Sequence, residues 1–220
     1  MQVFALVTQK GGTGKSSLAI SLAVAAEEAG LRSAIIDVDP QGTASEWSKR
    51  RKAATPEVVR LHWSHLSSQI RAFERSGLDL VIVDTPGADD SAAAAAIREA
   101  GLCLLPVRPS IADIEAMKPT LRYLNDRDKP FAFVLNQCPV GGRTSRTSNA
   151  FRALQLIGAV CDGTLALRAD HMDALASGLG VTELASGGKA AAEVRQVLEW
   201  ALARKIRVDA GQVGPAHSAA

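Results

Sequence analysis

The sequence predicts a three-layer α/β fold, a doubly wound and mostly parallel sheet with helices on both faces. Three observations predict it. Short apolar runs alternate with longer stretches of helical periodicity along nearly the whole chain, the pattern of repeated βαβ units. Most of these runs are apolar on both faces, as strands covered by helices on each side must be. At 220 residues the chain is long enough for one such domain with a substantial core.

The elements follow in order. VFALVT (Val3–Thr8) reads as the first strand, and a glycine-rich turn leads from it into a helix over Lys15–Ala29. Leu18, Leu22 and Ala25/Ala26 recur there at helical spacing, and Gly30 supplies the stop. SAIIDV (Ser33–Val38) is the second strand and VVRLHW (Val58–Trp63) a shorter one. LDLVIVD (Leu78–Asp84) comes next, followed by an alanine-rich helix over Asp89–Ala100 that Gly101 ends. LCLLPV (Leu102–Val107) precedes a helical stretch over Ala112–Asn125, in which Pro119 marks a kink or break. FAFVLN (Phe131–Asn136), a helix over Arg143–Leu156, the last strand GTLAL (Gly163–Leu167) and a helix over Lys189–Arg204 complete the set. The reading is one domain over residues 1–208, without internal repeats, and a disordered tail from Asp209 to Ala220.

Composition narrows the class. Apolar residues make up 47 % of the chain and the formal net charge is +2, too mild to name nucleic acid as a partner without a local patch. Cys103, Cys138 and Cys161 are odd in number and form no C-x-x-C pair, which argues against a disulfide framework or a structural zinc site. The N-terminal residues lack the basic region of a signal peptide, and no apolar run approaches a membrane span. The expectation is a soluble, cytoplasmic protein.

The stretch QKGGTGKSS (Gln9–Ser17) carries the chemistry. Gly11, Gly12, Thr13, Gly14, Lys15, Ser16 and Ser17 stand where a phosphate-binding loop must stand, between a strand and an amphipathic helix. Glycines let consecutive N–H groups turn toward phosphate oxygens, and the helix start adds its partial positive charge. Lys15 is expected on the β- and γ-phosphates and the Ser16 hydroxyl on Mg²⁺. Lys10 is left over. A second lysine at the loop's start suits a donor that reaches another subunit's nucleotide, in the manner of an arginine finger. KGGTGKS resembles the deviant phosphate loop of the ParA/MinD family of P-loop ATPases. That resemblance implies a homodimer when ATP is bound, with Lys10 acting across the interface.

Other segments extend the resemblance over about residues 2–204. IIDVDPQGTAS (Ile35–Ser45) places Asp37 and Asp39 after the second strand, on one side if the strand persists. The family resemblance implies Asp39 for orienting the attacking water and Asp37 for supporting the magnesium shell. LVIVDTPG (Leu80–Gly87) ends a strand with Asp84, suited to holding Mg²⁺ through water. The Gly87 N–H is expected at the γ-phosphate, making the following loop sensitive to ATP versus ADP. Asn136 ends another strand, with an amide able to read a purine edge. LRADHMDALASGLGVTE (Leu167–Glu183) matches the family's C-terminal pattern, with Arg168 near the base or the DNA surface.

The family also binds non-specific DNA as an ATP-bound dimer through basic residues toward the C-terminus. Arg143, Arg146, Arg168, Arg204, Lys205 and Arg207 are the candidates here. The implied partners are non-specific DNA and a ParB-like or other activating adaptor, with cofactors ATP and Mg²⁺ and a nucleoid-associated location. The resemblance is to the family's short form, and the expectation is a protein without a site-specific DNA-binding extension before the loop. Three rivals share the loop: a MinD-like membrane-associated ATPase, a nucleotide-dependent reductase with a bridging iron–sulfur cluster, and a metabolic kinase. The apolar stripe of the last helix (Val194, Val197, Leu198, Ala201, Leu202, Ile206) is read as core packing, so no stable membrane association is expected.

Overall fold

In the computed structural model, which describes residues 1–87, 90–141 and 144–209, the apolar runs assemble into a seven-stranded sheet. The strands are β1 (Gln2–Leu6), β2 (Ser33–Asp37), β3 (Glu57–Arg60), β4 (Leu80–Asp84), β5 (Leu102–Val107), β6 (Phe131–Leu135) and β7 (Ala159–Val160). Their spatial order is β3-β2-β4-β1-β5-β6-β7, and every neighbouring pair is parallel. From β1 the chain first builds β2 and β3 on one side, returns to insert β4 beside β1, and then adds β5, β6 and β7 on the other side, so the crevice at the carboxyl ends of the central strands is where such sheets bind ligands.

Alternate residues of each strand face two separate cores. Val3, Ala5 and Val7 point to one and Phe4 and Leu6 to the other, which explains why the runs read as apolar throughout. The second core lies beneath α1 (Lys15–Glu28), where ten of the fourteen residues are buried. The side chains Val194, Val197, Leu198 and Ala201 of α10 (Lys189–Asp209) are buried in that same core. The stripe from Val194 to Ala201 is therefore core, with Leu202 packed partly against it; the side chain of Ile206 lies outside the described residues. The described residues contain no helix long and apolar enough to cross a membrane.

The remaining helices are α2 (Thr43–Arg50), α3 (Leu66–Arg75), α4 (Asp90–Glu99), α5 (Ile111–Glu115), α6 (Lys118–Asn125), α7 (Ser145–Gln155), α8 (Ala169–Ala176) and α9 (Val181–Leu184). The stretch expected over Ala112–Asn125 is indeed broken. Pro119 falls in the first turn of α6, where its missing N–H costs no helical bond. GTLAL is not the last strand. Cys161 N–H donates to Phe133 O and Leu165 N–H to Leu135 O. Between those bonds the outer chain advances four residues while β6 advances two, so the ladder breaks around Gly163. Only β7 and the single bridge Cys138–Ala166 remain.

Candidate nucleotide site

The register of the central strands builds the site. Leu6 and Asp37 both pair with Asp84, so the phosphate loop and the two acids meet at one edge. The chain leaves β1 through Val7 and Thr8, turns over residues 9–14 and enters α1 at Lys15. Gly12 and Gly14 take left-handed backbone, φ 72° and 88°. At Gly14 a Cβ would sit 2.5 Å from Asn136 Nδ2, so only glycine fits there on both counts.

The loop is tied from two sides. The Asn136 amide donates to Thr13 O at 2.7 Å and the Gln137 amide to Gly12 O at 2.9 Å. Thr8 Oγ1 lies 3.0 Å from Thr13 Oγ1 and donates to Lys10 O. Lys15 Nζ folds back toward Thr8 O, Thr8 Oγ1 and Lys10 O at 3.4–3.5 Å. Burial lowers the pKa of Lys15, while the charges of Asp84 and Asp39 pull it upward.

Asp84 is fully buried and neither carboxylate oxygen has a hydrogen-bond partner. Burial pushes its pKa up to about 7; Asp37 and Asp39 push the same way, against the Ser16 hydroxyl and Lys15. An unpaired buried carboxylate beside Ser16 fits a hard divalent cation that takes oxygen ligands. Among the described residues no three His, Cys, Asp or Glu side chains form a metal cage. Mg²⁺ does not need one, because it keeps several waters and uses one or two protein ligands plus substrate phosphates.

Asp37 and Asp39 do not share a strand face, because β2 stops at Asp37. The Asp37 carboxylate accepts the N–H of Asp39 (3.1 Å) and both the N–H (2.9 Å) and hydroxyl (2.8 Å) of Ser45. It thereby fixes the turn and the start of α2. Asp39 accepts the Gln41 N–H at 2.9 Å and is only partly buried. Gly87 lies against the phosphate loop; a Cβ there would meet Gly11 N at 3.1 Å.

Lys10 points away from this cluster. Its ammonium lies 3.1 Å from Asp113 Oδ1, in the first turn of α5. Sequence reasoning missed Asp113, its neighbour Arg108 and Gln137; the pattern Ser110-x-x-Asp113, a helix start, was the only local signal.

A cleft of about 160 Å³ opens beside the loop, lined by Gly14, Ser17, Asn136, Leu165, Arg168 and His171 among others. Arg168 is ion-paired with Glu193 at 2.6 Å in the cleft wall. The other basic candidates are dispersed: Arg146 is exposed on α7, and Arg204 lies over the Trp200 ring at 5.7 Å. Arg143 and the side chains of Lys205 and Arg207 lie outside the described residues, as does the tail from residue 210. The thiols of Cys103, Cys138 and Cys161 are buried, which pushes them up to about 12, 11 and 12. A bridging cluster takes accessible thiolates, which these are not.

Residues 4–181 match the model of the CobQ/CobB/MinD/ParA nucleotide binding domain. The maintenance of carboxysome distribution protein A of Gloeobacter kilaueensis is 39% identical over 54% of this chain and 55% of its own length. Protein IncC of Escherichia coli is 26% identical over 91% of this chain and 69% of its own. The chain thus matches only about half of the first of these relatives and about two thirds of the second. Among solved structures, apo McdA of Cyanothece superposes with a TM-score of 0.76 at 15% identity, covering 92% of this chain and 99% of that one.

Proposed function

The chain belongs to the CobQ/CobB/MinD/ParA nucleotide-binding family, and from that premise we propose that it is a ParA-type positioning ATPase. It binds Mg-ATP, pairs face to face with a second copy, and as a pair binds DNA without sequence preference. Hydrolysis stimulated by an adaptor protein then releases it. Its cargo is a plasmid, a chromosome or a protein assembly carried on the nucleoid.

One observation carries the reading: the two lysines of the loop serve different places. Lys15 is buried against its own loop, whereas Lys10 turns outward to α5. In the proposed reaction Lys15 and the loop amides bind the β- and γ-phosphates, and Ser16 and Asp84 hold the metal. A Mg²⁺ ion held there would offset the negative charge on the phosphates. Asp39, on the turn that Asp37 fixes, orients the attacking water, and the Gly87 N–H reports on the γ-phosphate. Asn136 and Ser17 line the base cleft. Lys10 neutralises the partner copy's nucleotide, because two triphosphates facing each other repel.

Size-exclusion chromatography with light scattering, in a non-hydrolysable ATP analogue, tests this. Wild type is expected to double its mass. Lys15→Ala loses both nucleotide binding and pairing, while Lys10→Ala binds nucleotide yet stays single. Wild-type pairing by Lys10→Ala would overturn the reading and leave a generic P-loop nucleotide-binding protein.

A further inference from the structure

The turn that carries Asp39 is anchored at both ends by Asp37, which accepts the Asp39 N–H and, at the start of α2, the Ser45 N–H. Within the turn, the Gly42 N–H donates to Asp39 O and the Gln41 N–H to the Asp39 carboxylate, both at 2.9 Å. Those two bonds close the turn on itself. Its middle, Pro40 and Gln41, is exposed and needs a hold from elsewhere to stay in one place.

Arg60 supplies that hold. Its Nη2 donates to Pro40 O at 2.7 Å, from 20 residues further along the chain. The guanidinium also lies against the bare Cα of Gly42, where a Cβ would meet Cζ, Nη1 and Nε at 3.1, 3.2 and 3.3 Å. Three nearly equal distances put the plane of the group flat on the turn. Gly42 is buried although Gln41 and Thr43 on either side of it are exposed, as this cover requires. The sheet provides the reach. Arg60 is the last residue of β3 and pairs in register with Asp37, and the Leu61 N–H donates to Asp37 O at 3.2 Å. The edge strand therefore stops where the turn begins, and a long side chain from its end spans it. A planar, always charged fork suits both contacts at once, an N–H for the carbonyl and a face for the glycine.

We propose that Arg60 is a positioning residue for Asp39: it straps the turn to the edge strand and so sets where the carboxylate meets the attacking water. The inference rests on the role given to Asp39 above. The strap acts through the backbone, since the carbonyl it holds belongs to Pro40, the residue joined directly to Asp39. Drift of a reacting group by about 1 Å costs up to ~10²-fold in rate, so a modest loosening of this turn is enough to slow hydrolysis.

The test is single-turnover phosphate release by the full chain with Mg-ATP, alongside ATP affinity by calorimetry. Arg60→Ala slows release by about ten-fold, less than the loss expected of Asp39→Ala because the turn keeps its internal bonds. Its ATP affinity stays at the wild-type level, since the phosphate loop is untouched. The double variant Asp39→Ala/Arg60→Ala is no slower than Asp39→Ala alone, because no carboxylate is left to position. A side chain that only supported the fold would lower the rate equally in both backgrounds. Wild-type release by Arg60→Ala, or losses that multiply in the double variant, would overturn the positioning role. Asp39→Ala at the wild-type rate would instead remove Asp39 from the reaction, and the role of Arg60 with it.

Discussion

Asp84 enters the interior without the partners a buried carboxylate ordinarily has. Its oxygens lack hydrogen bonds, and its strand neighbour across β2 is another acid, Asp37. Near neutral pH the nucleotide-free protein bears that cost. Asp84→Asn removes the buried charge and its repulsion with Asp37 and Asp39 while keeping the shape, and is expected to stabilise it by ~1–3 kcal/mol, less than the full cost of an unpaired buried charge because the amide also lacks partners. The same variant should lose the stabilisation that Mg²⁺ adds to bound nucleotide. Thermal melts with and without Mg-ATP measure both, and a nucleotide-free melting point below wild type would contradict the account. Asp39 differs because its carboxylate spans a surface turn and holds up no core. Asp39→Ala should leave ATP affinity near wild type while hydrolysis falls by about 10²-fold, the penalty for a misplaced reactant. Single-turnover phosphate release decides it: an unchanged rate would move the role of orienting water to Asp37.

Elements carry a second kind of constraint, the close approach of one backbone to another. The link from α8 to α9 passes so near the end of α2 that a Cβ at Gly178 would meet the Arg50 carbonyl carbon at 2.5 Å. Gly178 is also left-handed, with φ 70°. Around that contact Trp47 Nε1 donates to Leu179 O at 3.1 Å, and Arg51 pairs with Glu183 at 2.7 Å. Gly178→Ala is therefore expected to cost about 2–4 kcal/mol, strain and clash together. A urea midpoint within error of wild type would show that α2 and the α8–α9 link are not docked this way. None of α2, α3, α8 or α9 was read from the sequence. In α3 only Leu66, Ile70 and Phe73 are buried, a stripe too short to stand out among polar residues. In α2 the buried set is Ala44, Ser45 and Trp47, and two of those three are small. Packing against neighbours, more than local periodicity, makes these helices.

At the scale of the whole molecule the proposed DNA contact depends on pairing, because a net charge of +2 is small for one chain and a pair doubles whatever patch each copy presents. Binding should require ATP and show no sequence preference, with a log–log salt slope of roughly −0.9 per neutralised phosphate. Replacing exposed Arg146 together with Arg204 should flatten that slope while ATP binding holds. An unchanged slope, read by fluorescence anisotropy, would place the contact elsewhere on the pair.

The sequence by itself determined the parts whose physics is local. Strand, glycine turn, Gly-Lys-Ser and helix are contiguous, so the turn from β1 into α1 was legible from spacing, and the place of Asp84 at the end of β4 from its apolar run. Two-faced apolar runs likewise announced a parallel sheet covered on both sides. Tertiary structure decided everything that depends on distant partners. Asp37 became the anchor of α2 because Ser45 turns back onto it, and Asn136 tied down the loop because β6 ends beside Thr13. Asp113, 103 residues beyond Lys10, met it only because β5 lies next to β1 in the sheet. Local pattern records what a residue does to its own backbone; sheet order determines which charges meet at the crevice.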